Sequence, residues 1–255
     1  MSGDLAALSA LPREALWSGA LVFLRVGAVM ALLPVFGEQV VPARVRLALA
    51  LAFTAIVAPV VGVGRAAPPG LAAAGVEVIA GLALGLVMRT GILALQTAGQ
   101  VAAQAISLAQ IFAGAGVDPM PAMGRLALVA GLALAAMAGL HLAAAEAMIL
   151  SYRVIPPGAL PDAGMLAEWG VGHVAAAFEV AITLAMPFLI GALIYNLALG
   201  VINRAMPQLM VVLIGAPALT AGGMILLGLA LPVMLDLWRD WLMRVIADPF
   251  AAGPR

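Results

Sequence analysis

The chain has 255 residues, of which 65% are hydrophobic and 9% are charged, and its formal net charge is zero. Soluble domains average about 45–50% apolar and about 25% charged residues, so this composition excludes an ordinary soluble enzyme. It also excludes a disordered chain, which needs low hydrophobicity, and a nucleic-acid-binding protein, which needs a basic surface. With a mean hydropathy of +1.17, the sequence predicts an integral membrane protein with several spans.

The residue types also exclude several kinds of catalytic site. The absence of cysteine excludes disulfides, thiolate metal sites and cysteine nucleophiles. All twelve basic residues are arginine, so the lysine of a Walker-type phosphate loop is missing. The two histidines, His141 and His173, lie in no metal-binding motif, and no serine or aspartate has the setting of an intramembrane protease. The sequence therefore predicts no catalytic residue and no metal ligand.

Six apolar segments are candidates for helices that cross a hydrocarbon core about 30 Å thick. They are Ala15–Phe36, Leu47–Val63, Leu71–Leu95, Leu126–Leu150, Val171–Leu199 and Met210–Leu235. Proline and glycine clusters separate them, and such clusters end helices. Prolines inside the last two segments (Pro187, Pro217 and Pro232) predict breaks or kinks. The predicted fold is an all-α membrane protein with about six segments, several kinked, that form hairpins packed into a multi-subunit assembly.

A row of polar side chains interrupts the third apolar region. The region Leu71–Ile111 is too long for one span, because about 40 helical residues measure about 60 Å. One helix face carries the set that we call the polar stripe: Arg89, Gln96, Gln100, Gln104 and Ser107. Because an unsatisfied polar group in lipid costs several kcal/mol, the stripe must face partner helices, water or a pore. It either joins helices of this chain or contacts other subunits or a passing substrate.

Isolated charges also lie in or near the apolar segments. Arg25 lies inside the first one, where a central arginine costs about 2.5–3.5 kcal/mol, so we expect it to pair with an unidentified carboxylate. Glu77, Glu146 and Glu179 are either members of structural ion pairs, interfacial residues or parts of a proton or ion relay. Glu179 and Thr183 lie one turn apart on one face, which is consistent with a relay.

Two pairs of glycines predict close contact between helices. Gly81 and Gly85 have the small-xxx-small spacing, and Gly222 and Gly223 form a second pair. Small residues let helix backbones approach closely in membrane proteins.

Several short strings of residues are informative through their order along the chain. They are Phe23-Leu-Arg25-Val, Pro34-Val-Phe36-Gly, Val41-Pro42-Ala-Arg44-Val-Arg46, Ala98-Gly99-Gln100, Pro121-Ala-Met-Gly124, Gly139-Leu-His141, Ser151-Tyr-Arg-Val-Ile-Pro156-Pro157-Gly158, and the run from Asn196 that contains Asn203-Arg204 and Pro207-Gln208. In this order they resemble the FliR family of flagellar type III export-gate proteins. The resemblance covers nearly the whole chain.

The resemblance implies a non-enzymatic export-gate subunit at the flagellar basal body in the bacterial inner membrane. Such a subunit assembles with FliP-like and FliQ-like subunits and other flagellar export membrane proteins, and its hairpins line the conduit for unfolded flagellar substrates. It binds no cofactor, since energy comes from the proton gradient and from an ATPase among its partners. The resemblance also implies a division into a FliP-like part, residues 1–125, and a part over residues 126–255 whose C-terminal end is FliQ-like.

By the same resemblance, the loop over residues 112–124 plugs the closed pore, and we call it the plug loop. Its selected residues are Phe112, Gly114, Gly116, Asp118, Pro119, Met120, Pro121, Met123 and Gly124. Its glycines allow several backbone states, and its methionines can seal against irregular surfaces. The alternative is a plain flexible connection.

Two other functions stay open at this stage. One is the related subunit of a virulence injectisome, which gene neighbours would distinguish. The other is a secondary transporter with Arg25, Glu77 and Glu179 as coupling groups.

Overall fold

The computed structural model describes residues 2–62, 70–111, 120–205 and 211–251, which contain helices and no strand. These helices are α1 (Ser2–Leu32), α2 (Ala43–Val61), α3 (Leu71–Ile111), α4 (Met120–Met137), α5 (Leu140–Val154), α6 (Ala163–Ala205) and α7 (Val211–Ala247). Among the described residues, five helices are long and apolar enough to cross a membrane, or up to six if the bent pair Gly124–Met137 and Leu140–Val154 is one span. The predicted all-α membrane fold is therefore confirmed.

Local chemistry explains where the first helices end. The predicted end of the first segment at Phe36 is wrong, because α1 ends at Leu32 and the chain turns at Pro34. A Cβ atom on Gly37 would lie 2.6 Å from the carbonyl oxygen of Ala31, so this tight turn requires glycine. Helix α2 ends at Gly62, whose φ of 61° lies in the left-handed region that favours glycine.

The apolar segment predicted over Leu126–Leu150 is a bent pair of helices rather than one straight helix. Helix α4 ends at Met137 and α5 begins at Leu140. Between them Gly139 has a φ of 85°, which ends the regular helical path. Composition alone did not reveal this break, because an isolated glycine inside a helical pattern is usually tolerated.

The remaining long helices extend beyond their predicted ends. Helices α3, α6 and α7 have 41, 43 and 37 residues. At 1.5 Å per residue they measure about 55–65 Å, which exceeds a hydrocarbon core of about 30 Å. Helix α6 continues through Pro187, and α7 continues through the positions of Pro217 and Pro232, so the predicted breaks do not occur there.

The chain divides into two compact units. Unit 1 comprises Met1–Thr90, Ala135–Val174 and Leu242–Arg255, and unit 2 comprises Gly91–Leu134 and Ala175–Trp241. Within unit 1, α1 packs against α2, and α2 contacts α5. Within unit 2, the fully buried Trp238 donates its Nε1–H to the carbonyl oxygen of Gly91 at 2.7 Å. The predicted division at residue 125 was based on resemblance to partner subunits, whereas these two units are defined by their compactness. The predicted division therefore stays a prediction.

Candidate functional site

A buried ion pair lies at the centre of unit 1. Arg25 of α1 and Glu77 of α3 have side chains that are 1% and 0% exposed. The Arg25 Nε–H donates to Oε2 of Glu77 at 2.7 Å, and a guanidinium Nη2–H donates to Oε1 at 3.1 Å. This two-bond geometry is the strong form of an arginine–carboxylate contact. The expected carboxylate partner of Arg25 is therefore Glu77, which the sequence left unidentified.

Helix α5 and the loop after it complete the surroundings of the pair. The guanidinium Nη1 donates to Ser151 Oγ at 3.2 Å and to the carbonyl oxygen of Ile155 at 3.0 Å. Its carbon Cζ lies 3.7 Å from the ring centre of Tyr152, a cation–π contact. The backbone N–H of Gly158 donates to Oε1 of Glu77 at 3.1 Å. We call the ion pair and these residues the Arg25 cluster.

The Arg25 cluster satisfies two charges that would otherwise be costly to bury. A buried ion pair is stable only when its remaining donors and acceptors also have partners. The string that begins at Ser151 and ends at Gly158 supplies those partners from one continuous segment. Sequence reasoning singled out this string for its family resemblance alone and did not connect it with Arg25.

Two glycines of α3 allow α1 to approach the Arg25 cluster. A Cβ atom on Gly81 would meet the carbonyl oxygen of Arg25 and would lie 2.8 Å from the Cβ of Ala28. A Cβ on Gly85 would lie 3.1 Å from α1. The predicted close approach at these two glycines is confirmed. At Gly222 an added Cβ would meet nothing within 4 Å, so the second predicted close approach is not made to the described part of this chain at that residue.

The first member of the polar stripe bonds within this chain. Arg89 forms an ion pair with Glu38, in the loop between α1 and α2, and the two side chains are 23% and 19% exposed. The backbone carbonyl of Glu38 accepts a hydrogen bond from Nη2 of Arg46 at 3.0 Å. In the same region Phe36 packs edge-on against Phe53, with ring centres 6.3 Å apart. Glu38 thus connects the string that contains Arg46 to α3.

The rest of the polar stripe has a different environment. Gln96 is half-buried, whereas Gln100 and Gln104 are exposed. No hydrogen bond joins these three amides to the described ranges of the chain. The side chain of Ser107 lies outside the described residues. The stripe therefore splits into an arginine that is paired within unit 1 and amides that have no hydrogen bond to the described part of the chain.

Most of the plug loop lies outside the described residues. The following predicted residues lie outside the described ranges: Phe112, Gly114, Gly116, Asp118 and Pro119. The side chains of Met120, Pro121 and Met123 are likewise outside them, although α4 begins at Met120.

The helices on either side of the plug loop meet at two glycines. A Cβ atom on Gly99 of α3 would lie 2.8 Å from the Cα of Gly124 of α4. Both glycines belong to family-like strings, and their contact brings α3 and α4 together backbone to backbone.

The other residues that carry the resemblance have varied positions. Pro34 is buried in the turn after α1, and the carbonyl of Pro42 accepts the N–H of Arg46 at 3.1 Å as α2 begins. Arg44, Asn203 and Arg204 are exposed, and Pro207 and Gln208 lie outside the described residues.

The candidate relay carboxylates and the two histidines form no common site within the described residues. Glu146 and Glu179 are exposed. The hydroxyl of Thr183 donates to the backbone carbonyl of Glu179 at 2.9 Å, not to its carboxylate. His141 is exposed, whereas His173 is buried with its Nδ1 2.9 Å from the carbonyl oxygen of Trp169. Within the described part of the chain, no three potential metal ligands lie together.

One aromatic contact of unit 1 was not foreseen. The indole Nε1–H of Trp169 donates to the carbonyl of Pro249 at 2.8 Å, and its ring stacks on Phe250 with centres 6.0 Å apart. The sequence shows that these aromatic residues are present, but only the fold brings Trp169 and Phe250 together.

Comparison with known proteins identifies the family. The model of the family described as bacterial export proteins, family 1, matches residues 16–245. The flagellar biosynthetic protein FliR of Caulobacter vibrioides is 34% identical over 231 residues, which cover 87% of this chain and 91% of that protein. FliR of Escherichia coli is 30% identical over 83% of each chain, and FliR of Aquifex aeolicus is 27% identical over 84% and 85%. This chain therefore belongs to the FliR family of bacterial export proteins.

Proposed function

We propose that this chain is a non-enzymatic subunit of the flagellar type III protein export gate in the bacterial inner membrane. It packs against FliP-like and FliQ-like subunits at the basal body and lines the conduit for unfolded flagellar substrates. Family membership supports a role in the flagellar export apparatus, and the long apolar helices support a membrane location. The observation that supports contact with other subunits and with the conduit is the exposure of Gln100 and Gln104 on α3.

Amides without hydrogen-bond partners are costly inside a membrane. An amide that faces lipid without a hydrogen bond costs several kcal/mol, so both glutamines require polar surroundings. The described residues of this chain do not supply them, and we propose that neighbouring subunits or a wet conduit do. The same face of α3 exposes Leu82 and Leu86 nearer its start, so the face changes from apolar to polar along the helix.

Replacing both glutamines tests this proposal. We expect the Gln100→Leu, Gln104→Leu double variant to fold but to recover fewer FliP-like and FliQ-like subunits when purified in mild detergent. A matched control is the Leu82→Ala, Leu86→Ala variant, which alters exposed apolar positions of the same face and keeps the amides. Normal assembly and motility of the glutamine variant would contradict the intersubunit role.

We also propose that residues 112–124 plug the closed conduit. The contact between Gly99 and Gly124 supports this, because it holds together the two helices that the loop connects. We expect deletion of Gly114–Met120 to make the membrane leaky to ions while export partly survives. Ion conductance of membrane vesicles measures the leak, and unchanged conductance would count against a plug.

The two alternative functions are less well supported. Arg25 and Glu77 are paired with each other in a buried, hydrogen-bonded cluster, which supports a structural role for them rather than a role as coupling groups of a transporter. A purified chain that binds a small solute by itself would favour a transporter. The relatives described above are flagellar, and effector genes beside this gene would favour an injectisome instead.

A further inference from the structure

The turn after α1 holds a valine in a backbone conformation that valine rarely adopts. Val35 has a φ of 69°, and among the described residues it is the one residue other than glycine with a positive φ. The N–H of Phe36 donates to the carbonyl oxygen of Pro34 at 2.8 Å, so Val35 is the central residue of a γ-turn. A γ-turn with a positive φ is rare and strained, and a β-branched side chain makes it a clear outlier.

Two contacts close the turn directly after Val35. The N–H of Gly37 donates to the carbonyl oxygen of Leu33 at 2.7 Å. The ring of Phe36 packs edge-on against Phe53 of α2, with ring centres 6.3 Å apart. Both contacts require the chain to reverse its direction at Val35, because extended backbone there would carry Phe36 and Gly37 away from α1 and α2. A strained residue persists only where the surrounding structure holds it in this way.

Glu38 links the strained turn to α3. Its carboxylate pairs with Arg89, and its backbone carbonyl accepts a hydrogen bond from Nη2 of Arg46 at 3.0 Å. The side chains of Arg89 and Glu38 are 23% and 19% exposed, so water and salt weaken this ion pair. Just beyond it, Val40 is 92% exposed. The loop is therefore held to α3 by a contact that can break while unit 1 stays folded.

We propose that residues 34–41 form a strained conformational switch, which the ion pair between Glu38 and Arg89 holds in a closed state. When the pair breaks, Val35 returns to a negative φ, the segment moves away from α3, and the ring of Phe36 leaves Phe53. The strain at Val35 drives the opening, and the ion pair opposes it. This switch goes beyond the proposed function, because it needs only residues of unit 1.

The distance between two spin labels measures the switch. Because the chain contains no cysteine, Val40→Cys in the loop and Ile56→Cys on α2, both at exposed positions, provide two labelled sites in the full chain in mild detergent. We expect Arg89→Gln to raise the ratio of open to closed molecules about fivefold, which corresponds to an ion pair that contributes about 1 kcal/mol. The matched control is Arg44→Gln, which removes an exposed arginine at the start of α2 and leaves the distances unchanged. Unchanged distances with Arg89→Gln would overturn the switch.

A second substitution separates strain from the mere loss of an ion pair. Glycine adopts a positive φ without steric cost, so Val35→Gly removes the strain and keeps the turn. We expect Val35→Gly to return the Arg89→Gln chain to the closed distance. Val35→Ala is the control, because alanine lacks the bulk of valine but keeps the steric cost of a positive φ, and it should leave the chain open. If the glycine variant stays open, or if alanine closes the loop as well as glycine does, strain does not drive the switch and the proposal is wrong.

Discussion

The two halves of α3 differ in whether their polar side chains have bonding partners within the described chain. In the first half, which belongs to unit 1, Glu77 bonds to Arg25 and Arg89 bonds to Glu38. In the second half, which belongs to unit 2, Gln100 and Gln104 are exposed and bond to no described residue. On one apolar helix, the polar side chains with internal partners thus hold the fold together, and those without described partners are the ones that we propose for assembly.

The cost of burial explains why the ion pair lies in the first half. An uncompensated buried charge costs far more than an unpaired neutral amide. The pair in the Arg25 cluster must therefore be complete whenever unit 1 is folded. A neutral amide that has no hydrogen-bond partner on an exposed face costs less free energy.

Among substitutions that test this difference between the two halves of α3, we expect the largest loss of stability at Glu77. Glu77→Leu leaves the Arg25 guanidinium buried without its counter-charge, and we expect a loss of roughly 3–5 kcal/mol of stability. The measurement is the yield and thermal unfolding midpoint of the variant in detergent. An unchanged midpoint would show that the pair contributes little to the fold.

A double variant sharpens the same point. Arg25→Met with Glu77→Leu removes both charges, and replacing a whole buried pair by apolar residues is often close to neutral. We expect most of the stability lost in Glu77→Leu to return, apart from the hydrogen bonds to Ser151 and Gly158. A double variant as unstable as the single one would contradict an electrostatic cause.

A smaller effect is expected where α1 and α3 meet. Gly81→Ala forces a methyl group against Arg25 and Ala28, and we expect a loss of about 1–3 kcal/mol from overpacking. Gly75→Ala is the matched control on the same helix, since a Cβ there meets nothing within 4 Å. Alanine favours helix by up to about 1 kcal/mol, so the control should gain stability. Equal unfolding midpoints for the two variants would disprove the close contact.

The smallest effect is expected at the partly exposed pair of the same helix. Arg89→Gln removes the bond to Glu38, and we expect a loss of about 1 kcal/mol or less because water and salt screen such pairs. Arg44→Gln, at an exposed arginine, is the control and should leave the unfolding midpoint unchanged. A loss at Arg89 as large as that at Glu77 would mean that the Glu38 loop is more important than its exposure indicates.

Several features could be predicted from the residues alone, and others could not. The apolar runs and the proline and glycine clusters predicted the helical segments, and the position of Arg25 predicted a carboxylate partner. The choice of Glu77 could not be predicted, because it joins residues 52 positions apart and Glu146 and Glu179 were equally eligible. The break at Gly139 was missed because one glycine in an apolar helix has no distinct pattern.

The sequence by itself determined that this chain is an apolar, helical membrane protein, because composition alone decides whether lipid or water is the better solvent. It also determined which polar groups need partners. Only the tertiary structure decided which of them find partners within the chain, because hydrogen bonds depend on distances between segments far apart in sequence. Ser151 bonds to Arg25 from 126 positions away, a contact that no local pattern encodes.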